Sequence, residues 1–215
     1  MSTLTATATT YRWPVPARVG AAGVATFFAT SIVVAAITPG YRSTRDAISA
    51  LAAIDSPYAW VMIGGFLAAA VGLAATGIAL WRRYGATPGV LLMVCSALMA
   101  TAGLARQDCS EALPSCIDYD KAELASTHFW VHQYVSLTLF LLLVVTGFVL
   151  IGKVRRTAGF GYLTVPARVI AYTNLIVIGA AMTVGFGAVN GLVQRPSVAL
   201  LFGWPIVLAG IAPRR

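Results

Sequence analysis

Six apolar stretches, each close to the length that crosses a bilayer, divide this chain. A helix needs about 20 apolar residues to span the hydrocarbon core, and the candidates are 19–38, 58–81, 88–105, 129–151, 168–190 and 196–212. Hydrophobic residues make up 59% of the chain and charged residues 10%, whereas a soluble domain carries roughly 25% charged residues. The expected fold is therefore all-α: an integral membrane bundle of six transmembrane helices. The 215 residues leave room for one such domain, 13–215, after a Thr-, Ser- and Ala-rich segment, 1–12, that reads as a disordered cytoplasmic tail. The first apolar run, Val19 to Ile37, is longer than the ~7–15 residues of a cleavable signal core, so it is expected to remain as the first helix.

The charges are sorted between alternate loops. One set of loops carries Arg12, Arg18, Arg82, Arg83, Lys153, Arg155, Arg156, Arg168, Arg214 and Arg215 and no acid. The other set carries Asp46, Asp55, Asp108, Glu111, Asp118, Asp120 and Glu123, joined by Arg42, Arg45, Arg106, Lys121 and Arg195. Short loops rich in Lys and Arg stay in the cytoplasm. The pattern predicts both termini in the cytoplasm, the acidic loops outside, and residence in the plasma (inner) membrane. The net charge of +8 does not point to nucleic acid, because the basic residues flank apolar helices. They suit anionic lipid headgroups at the inner face, at about 1 kcal/mol each. Trp13 and Trp81 fall near the inner boundary, Trp60 and Trp130 near the outer one, as the interfacial preference of indole predicts. Trp204 falls deeper.

Of the three cysteines, Cys95 lies inside an apolar stretch and reads as a small buried residue. Cys109 and Cys116 share the acidic outer loop, where an oxidising compartment favours a disulfide worth about 2–3 kcal/mol in the chain-entropy model. Stripes of small residues mark helix contacts: Gly65, Ala68, Gly72 and Thr76 on the second helix, and Gly179, Thr183, Gly187 and Gly191 on the fifth. A homo-oligomer is compatible with these stripes but not implied by them. Pro205 predicts a kink or local unwinding of the sixth helix.

No Asp, Glu, Lys or Arg lies mid-span, which argues against ion-coupled transport. Asn174 is the main polar residue inside a span and is expected to bond to a neighbouring helix. The varied side chains gather at the outer helix ends. Arg42, Arg45, Asp46, Ser49 and Asp55 follow the first helix, Arg106, Gln107 and Asp108 the third, and Asn190, Gln194 and Arg195 the fifth. His128, His132 and Gln133 open the fourth, with Ser136 one turn deeper. The i,i+4 spacing sets His128 and His132 on one helix side, a geometry able to chelate a divalent metal such as zinc. Ser126 could cap this helix, and Asp108 is the candidate third ligand. The arginines read either as partners of Asp46, Asp55 and Asp108 in a structural network or as anion forks.

The segment Arg45-Asp46-Ala47-Ile48-Ser49-Ala50-Leu51 resembles the Ile-Ser-x-Leu signature of a bacterial membrane family known as domain of unknown function 998. That family also tends to show an acid after the third helix and a histidine opening the fourth, positions that Asp108 and His128 match. Ala50 stands where an acid is common, and Arg106-Gln107 where Phe-Pro is common. The resemblance runs from about residue 20 through most of the chain; it implies six helices in this order and brings no activity with it. The rim residues are also similar in type to those of the ceramidase-like zinc hydrolases of membranes, in which Ser49, Asp108, His128 and His132 would correspond. That group draws its histidines from two helices, whereas both here lie on one.

Three readings of function stand open. The first is an accessory or ligand-binding membrane protein with a polar site at the outer face. The second is a metal-dependent hydrolase of a lipid or envelope component. In it Asp108, His128 and His132 would hold the metal, Ser49 or Asp46 would orient water or substrate, and Arg45 or Arg106 would steady negative charge. The third is a small-molecule transporter, for which Pro205 and the fifth-helix glycines are the only support. No cofactor is firmly implied.

Overall fold

The computed structural model describes residues 13–110, 116, 125–183 and 189–211. The expected tail 1–12, the acids Glu111, Asp118, Asp120 and Glu123, and Lys121, Gly187, Arg214 and Arg215 lie outside these residues. The described chain is all-helical: α1 Val15–Ile37, a 3-10 turn Ile48–Ala52, α2 Ala59–Tyr84, α3 Ala86–Leu104, α4 Thr127–Arg155, α5 Thr164–Thr183 and α6 Asn190–Ile211. Six helices are long and apolar enough to cross a membrane. Large apolar side chains such as Ile32, Val71, Val169 and Ile176 are exposed, a surface suited to lipid and not to water. This is a multi-pass membrane protein.

Successive helices pack against one another from α1 to α5, and α6 packs against α1, α2, α4 and α5. The bundle has one acidic rim, where α1, α3 and α5 end and Asp46, Asp55 and Asp108 lie, and one basic rim, where Arg82, Arg83, Lys153 and Arg155 occupy the last turns of α2 and α4. Cations there also complement the helix C-terminal dipoles.

The small-residue stripe of α2 does what its composition suggests. A Cβ on Gly72 would stand 2.9 Å from the Gly20 carbonyl and 3.2 Å from Gly23 Cα, so α1 and α2 touch backbone to backbone. Of the stripe expected on the fifth helix, Gly187 and the Thr183 side chain lie outside what is described. Gly179 faces open space, and Gly191 belongs to α6, where its missing side chain admits the backbone of Ser43 and Asp46. The hydropathy pattern gave residue 190 to the fifth helix and started the sixth at 196; instead α6 begins at Asn190, while α5 is described through Thr183. The reason is local bonding: the first-turn amides of Gly191 and Leu192 donate to the Arg45 carbonyl (3.0 Å) and the Thr44 carbonyl (2.8 Å). α6 then runs unbroken through Pro196 and Pro205, with no unwinding at Pro205. Asn174 turns back on its own helix, donating to the Ile170 carbonyl at 2.9 Å, instead of bridging to another. Cys95 is buried as expected.

Substituting Gly72→Val should separate α1 from α2 and destabilise the bundle by about 1–3 kcal/mol, as overpacking does. Gly64→Ala, at a position with nothing within 4 Å, should leave thermal unfolding in detergent unchanged.

Candidate functional site

The loop between α1 and α2 docks on the start of α6, and its charged side chains serve the backbone. Asp46, 1% exposed, accepts the Arg42 amide at 2.6 Å and Arg45 Nε at 2.5 Å. The Arg195 guanidinium, on the second turn of α6, donates to the Asp46 carbonyl (3.1 Å), the Gly191 carbonyl (3.0 Å), the Ser43 carbonyl and the Tyr41 hydroxyl. Tyr41 in turn donates to the Ala47 carbonyl at 2.9 Å. Gln194 Oε1 accepts the Ile48 amide at 2.8 Å, which fixes the turn that carries Ser49.

The end of α3 is held in the same manner. Arg106 donates to the carbonyls of Ala52 (3.1 Å), Ala53 (2.7 Å) and Ile54 (3.0 Å) and lies over the Trp60 ring. Asp55 accepts the Ser110 amide at 2.7 Å. Asp108 binds both the backbone amide and the hydroxyl of Ser126, and Ser126 caps α4 by accepting the Phe129 amide at 3.3 Å. Arg45 forms an ion pair with Asp46; Arg106 and Arg195 find carbonyls where carboxylates were expected. Cys109 and Cys116 form a disulfide, with Cα atoms 5.5 Å apart, next to Asp108.

The two histidines have different surroundings. His128 is exposed on the first turn of α4. His132 is 3% exposed, and its Nδ1 lies 2.9 Å from the Ala102 carbonyl and 2.8 Å from the Ala105 carbonyl. Carbonyls only accept, so Nδ1 carries the proton and caps the C-terminal end of α3. The Nε2 atom is then an acceptor. Ser136 Oγ stands 3.5 Å from it, the outer limit for a hydrogen bond. Asp108, His128 and His132 do not converge. Asp108 is engaged by Ser126, and among the described residues no three His, Cys, Asp or Glu side chains are placed to hold a metal ion.

What does converge is uncharged. A cavity of about 190 Å³ lies between the 46–49 segment, the end of α3, α4 and α6. Ser49, Gln107, His132, Gln133, Ser136 and Gln194 form its polar wall, with Asn190 at the edge. Phe27, Phe66, Phe140 and Phe202 form its apolar part, and edge contacts such as Phe27 on Phe66, ring centres 5.3 Å apart, hold those rings in place. Among the described residues no Asp, Glu, Lys or Arg lines it. Gln107 is 6% exposed, and its Oε1 has no hydrogen-bond partner among the described residues. Of the sequence candidates, Ser49 and His132 reach this cavity, whereas Asp46, Arg45, Arg106 and Asp108 are engaged beside it and His128 lies outside it. Sequence reasoning noted Gln107, Gln133 and Ser136 as rim residues without singling them out. Their signal was the run of neutral amides and hydroxyls at matching depth on α4 and just past the end of α3.

A family profile described as a protein of unknown function (DUF998) matches residues 21–211. Neither the curated proteins nor the solved structures give a match.

Replacing His132 with Ala leaves two buried carbonyls without a donor and should destabilise the protein by about 1–3 kcal/mol. His128→Ala should stay within about 0.5 kcal/mol of the parent. Paired thermal melts would separate the two roles.

Proposed function

The chain belongs to the DUF998 family, and on that footing we propose that it is a non-catalytic, ligand-binding accessory protein of the membrane. Its site is the neutral cavity at the acidic rim. The observation that carries this reading is the division of labour there: Asp46, Asp55, Asp108, Arg45, Arg106 and Arg195 are engaged with backbone or with one another, while neutral amide, hydroxyl and imidazole residues line the cavity. Binding sites are concave, largely apolar and equipped with a few placed polar groups, and this cavity has that composition.

In this reading the acidic rim faces the periplasm or the cell exterior and both termini lie in the cytoplasm of a bacterium. The Lys and Arg bias supports that orientation, and so does a Cys109–Cys116 disulfide on the side where such bonds persist. The basic rim, with Arg82, Arg83, Lys153 and Arg155, then meets the anionic headgroups of the inner leaflet.

Ser136→Leu places a branched apolar side chain into the cavity wall. Protein purified in polymer discs that retain native lipid should carry a neutral small molecule, detected by mass spectrometry of the extract. The Leu variant should lose it while melting no lower than the parent. Identical extracts from the two proteins would remove the proposal.

A further inference from the structure

The neutral cavity has a neighbour. A second space of about 210 Å³ shares with it the wall made by Gln133, Ser136, Phe140, Asn190, Gln194 and Val198. From that wall it extends between α4, α5 and α6 along Val177 and Ile178 to Met182, which is 60% exposed on the lipid-facing flank. Its described lining is mostly apolar and includes no Asp, Glu, Lys or Arg. Gln133 and Phe140 are seven residues apart on α4, about 10 Å along the axis, so the slot lies in the leaflet nearest the acidic rim. A polar chamber adjoining an apolar slot that reaches the bilayer has the shape and chemistry of an amphiphile.

Resting on the reading of the cavity as a ligand site, we propose that its occupant is a membrane lipid with an uncharged, hydroxyl-bearing head. It enters sideways between α4, α5 and α6, with its chain left in the slot. The absence of charge in the head follows from the rim. The Arg106 and Arg195 guanidinium groups already donate to carbonyls, Arg45 is paired with Asp46, and Arg42, exposed on the rim, does not line the cavity. A phosphate would have to break those bonds or remain desolvated without a counter-charge. The hydroxyl follows from the acceptors. His132 Nδ1 is held by two carbonyls, so Nε2 offers a lone pair to the cavity. Gln107 Oε1 is a second buried acceptor with no donor. A neutral alcohol supplies the missing O–H donors, and the aromatic rings of Phe27, Phe66 and Phe202 cover its glycerol-like or polyol carbons.

The test uses the full chain in phosphatidylcholine nanodiscs, titrated with dioleoylglycerol, its methyl ether, dioleoyl phosphatidate and glycerol, with adducts counted by native mass spectrometry. Dioleoylglycerol should bind about tenfold more tightly than the methyl ether, the difference that one good hydrogen bond makes. His132→Asn keeps a donor for the Ala102 and Ala105 carbonyls and, being shorter, withdraws the acceptor from the position of Nε2. Gln107→Leu deletes the other acceptor and should fold at least as well as the parent, since it removes an unpartnered amide. Each should weaken dioleoylglycerol binding about tenfold. If His132→Asn fails to fold, Gln107→Leu decides. Equal binding of the ether, tighter binding of phosphatidate, or unchanged binding in a folded Gln107→Leu protein would overturn the proposal. Capture of glycerol without the lipid would overturn it too, while leaving the polar site standing. No adduct sensitive to Ser136→Leu would remove both.

Discussion

Within a bilayer every backbone N–H and C=O has to find its partner inside the protein, and the segment joining α1 to α2 depends on that rule. Residues 38–58 are not one long helix, yet Asp46, Ile48, Leu51 and Ala53 are buried. Some of their peptide groups bond within the segment, the Asp46 amide to the Arg42 carbonyl and the Ala53 amide to the Ala50 carbonyl, and others are satisfied from outside it. Arg195 and Gln194 reach over from α6, Arg106 from the end of α3, and the Gln107 carbonyl accepts the Ile54 amide at 2.9 Å. The α6 helix gains in return, because carbonyls of Thr44 and Arg45 take the amides of its first turn, groups that no helix can satisfy internally.

This mutual capping decides what remains free for function. A guanidinium offers five donors in a rigid fork, and Arg106 and Arg195 direct theirs at carbonyls and, for Arg195, at the Tyr41 hydroxyl as well. The carboxylates of Asp46, Asp55 and Asp108 are likewise turned towards backbone amides. The groups that the scaffold leaves available are neutral: the cavity-facing nitrogen of His132, the Gln107 amide, and the hydroxyls of Ser49 and Ser136. A buried acceptor without a donor is destabilising, and in the proposed reading the unpartnered Gln107 oxygen is where stability yields to recognition. Hydrogen bonding in a dry, aromatic-walled space then supplies selectivity in place of charge.

Much of the fold was legible in the sequence because lipid imposes length and polarity on each helix. The six spans, the sorting of charge to two rims, the Ser126 cap and the α2 small-residue stripe all follow from local rules. The boundary between α5 and α6 did not, since it is set by carbonyls of Thr44 and Arg45, far away in the chain. The candidate site was legible in its address but not in its membership. Two histidines at i,i+4 invite a metal reading, and nothing local reveals that α3 ends against one of them while the other is exposed. The arginines and aspartates stood out because charge is rare in this chain; their partners are backbone groups that sequence does not display. Phe27, Phe66 and Phe202 read as ordinary span residues until three helices bring them together.

The whole account turns on the state of one ring, His132, whose Nδ1 proton is held by α3 and whose Nε2 is left open to the cavity. Nitrogen-15 NMR of histidine-labelled protein, with His128→Gln removing the second signal, reads the tautomer directly. The account predicts a protonated Nδ1 and a bare Nε2 that shifts when an alcohol-bearing lipid is added. A ring protonated at Nε2 and bare at Nδ1 would contradict it, because the clasp on α3 and the acceptor in the cavity would both be absent.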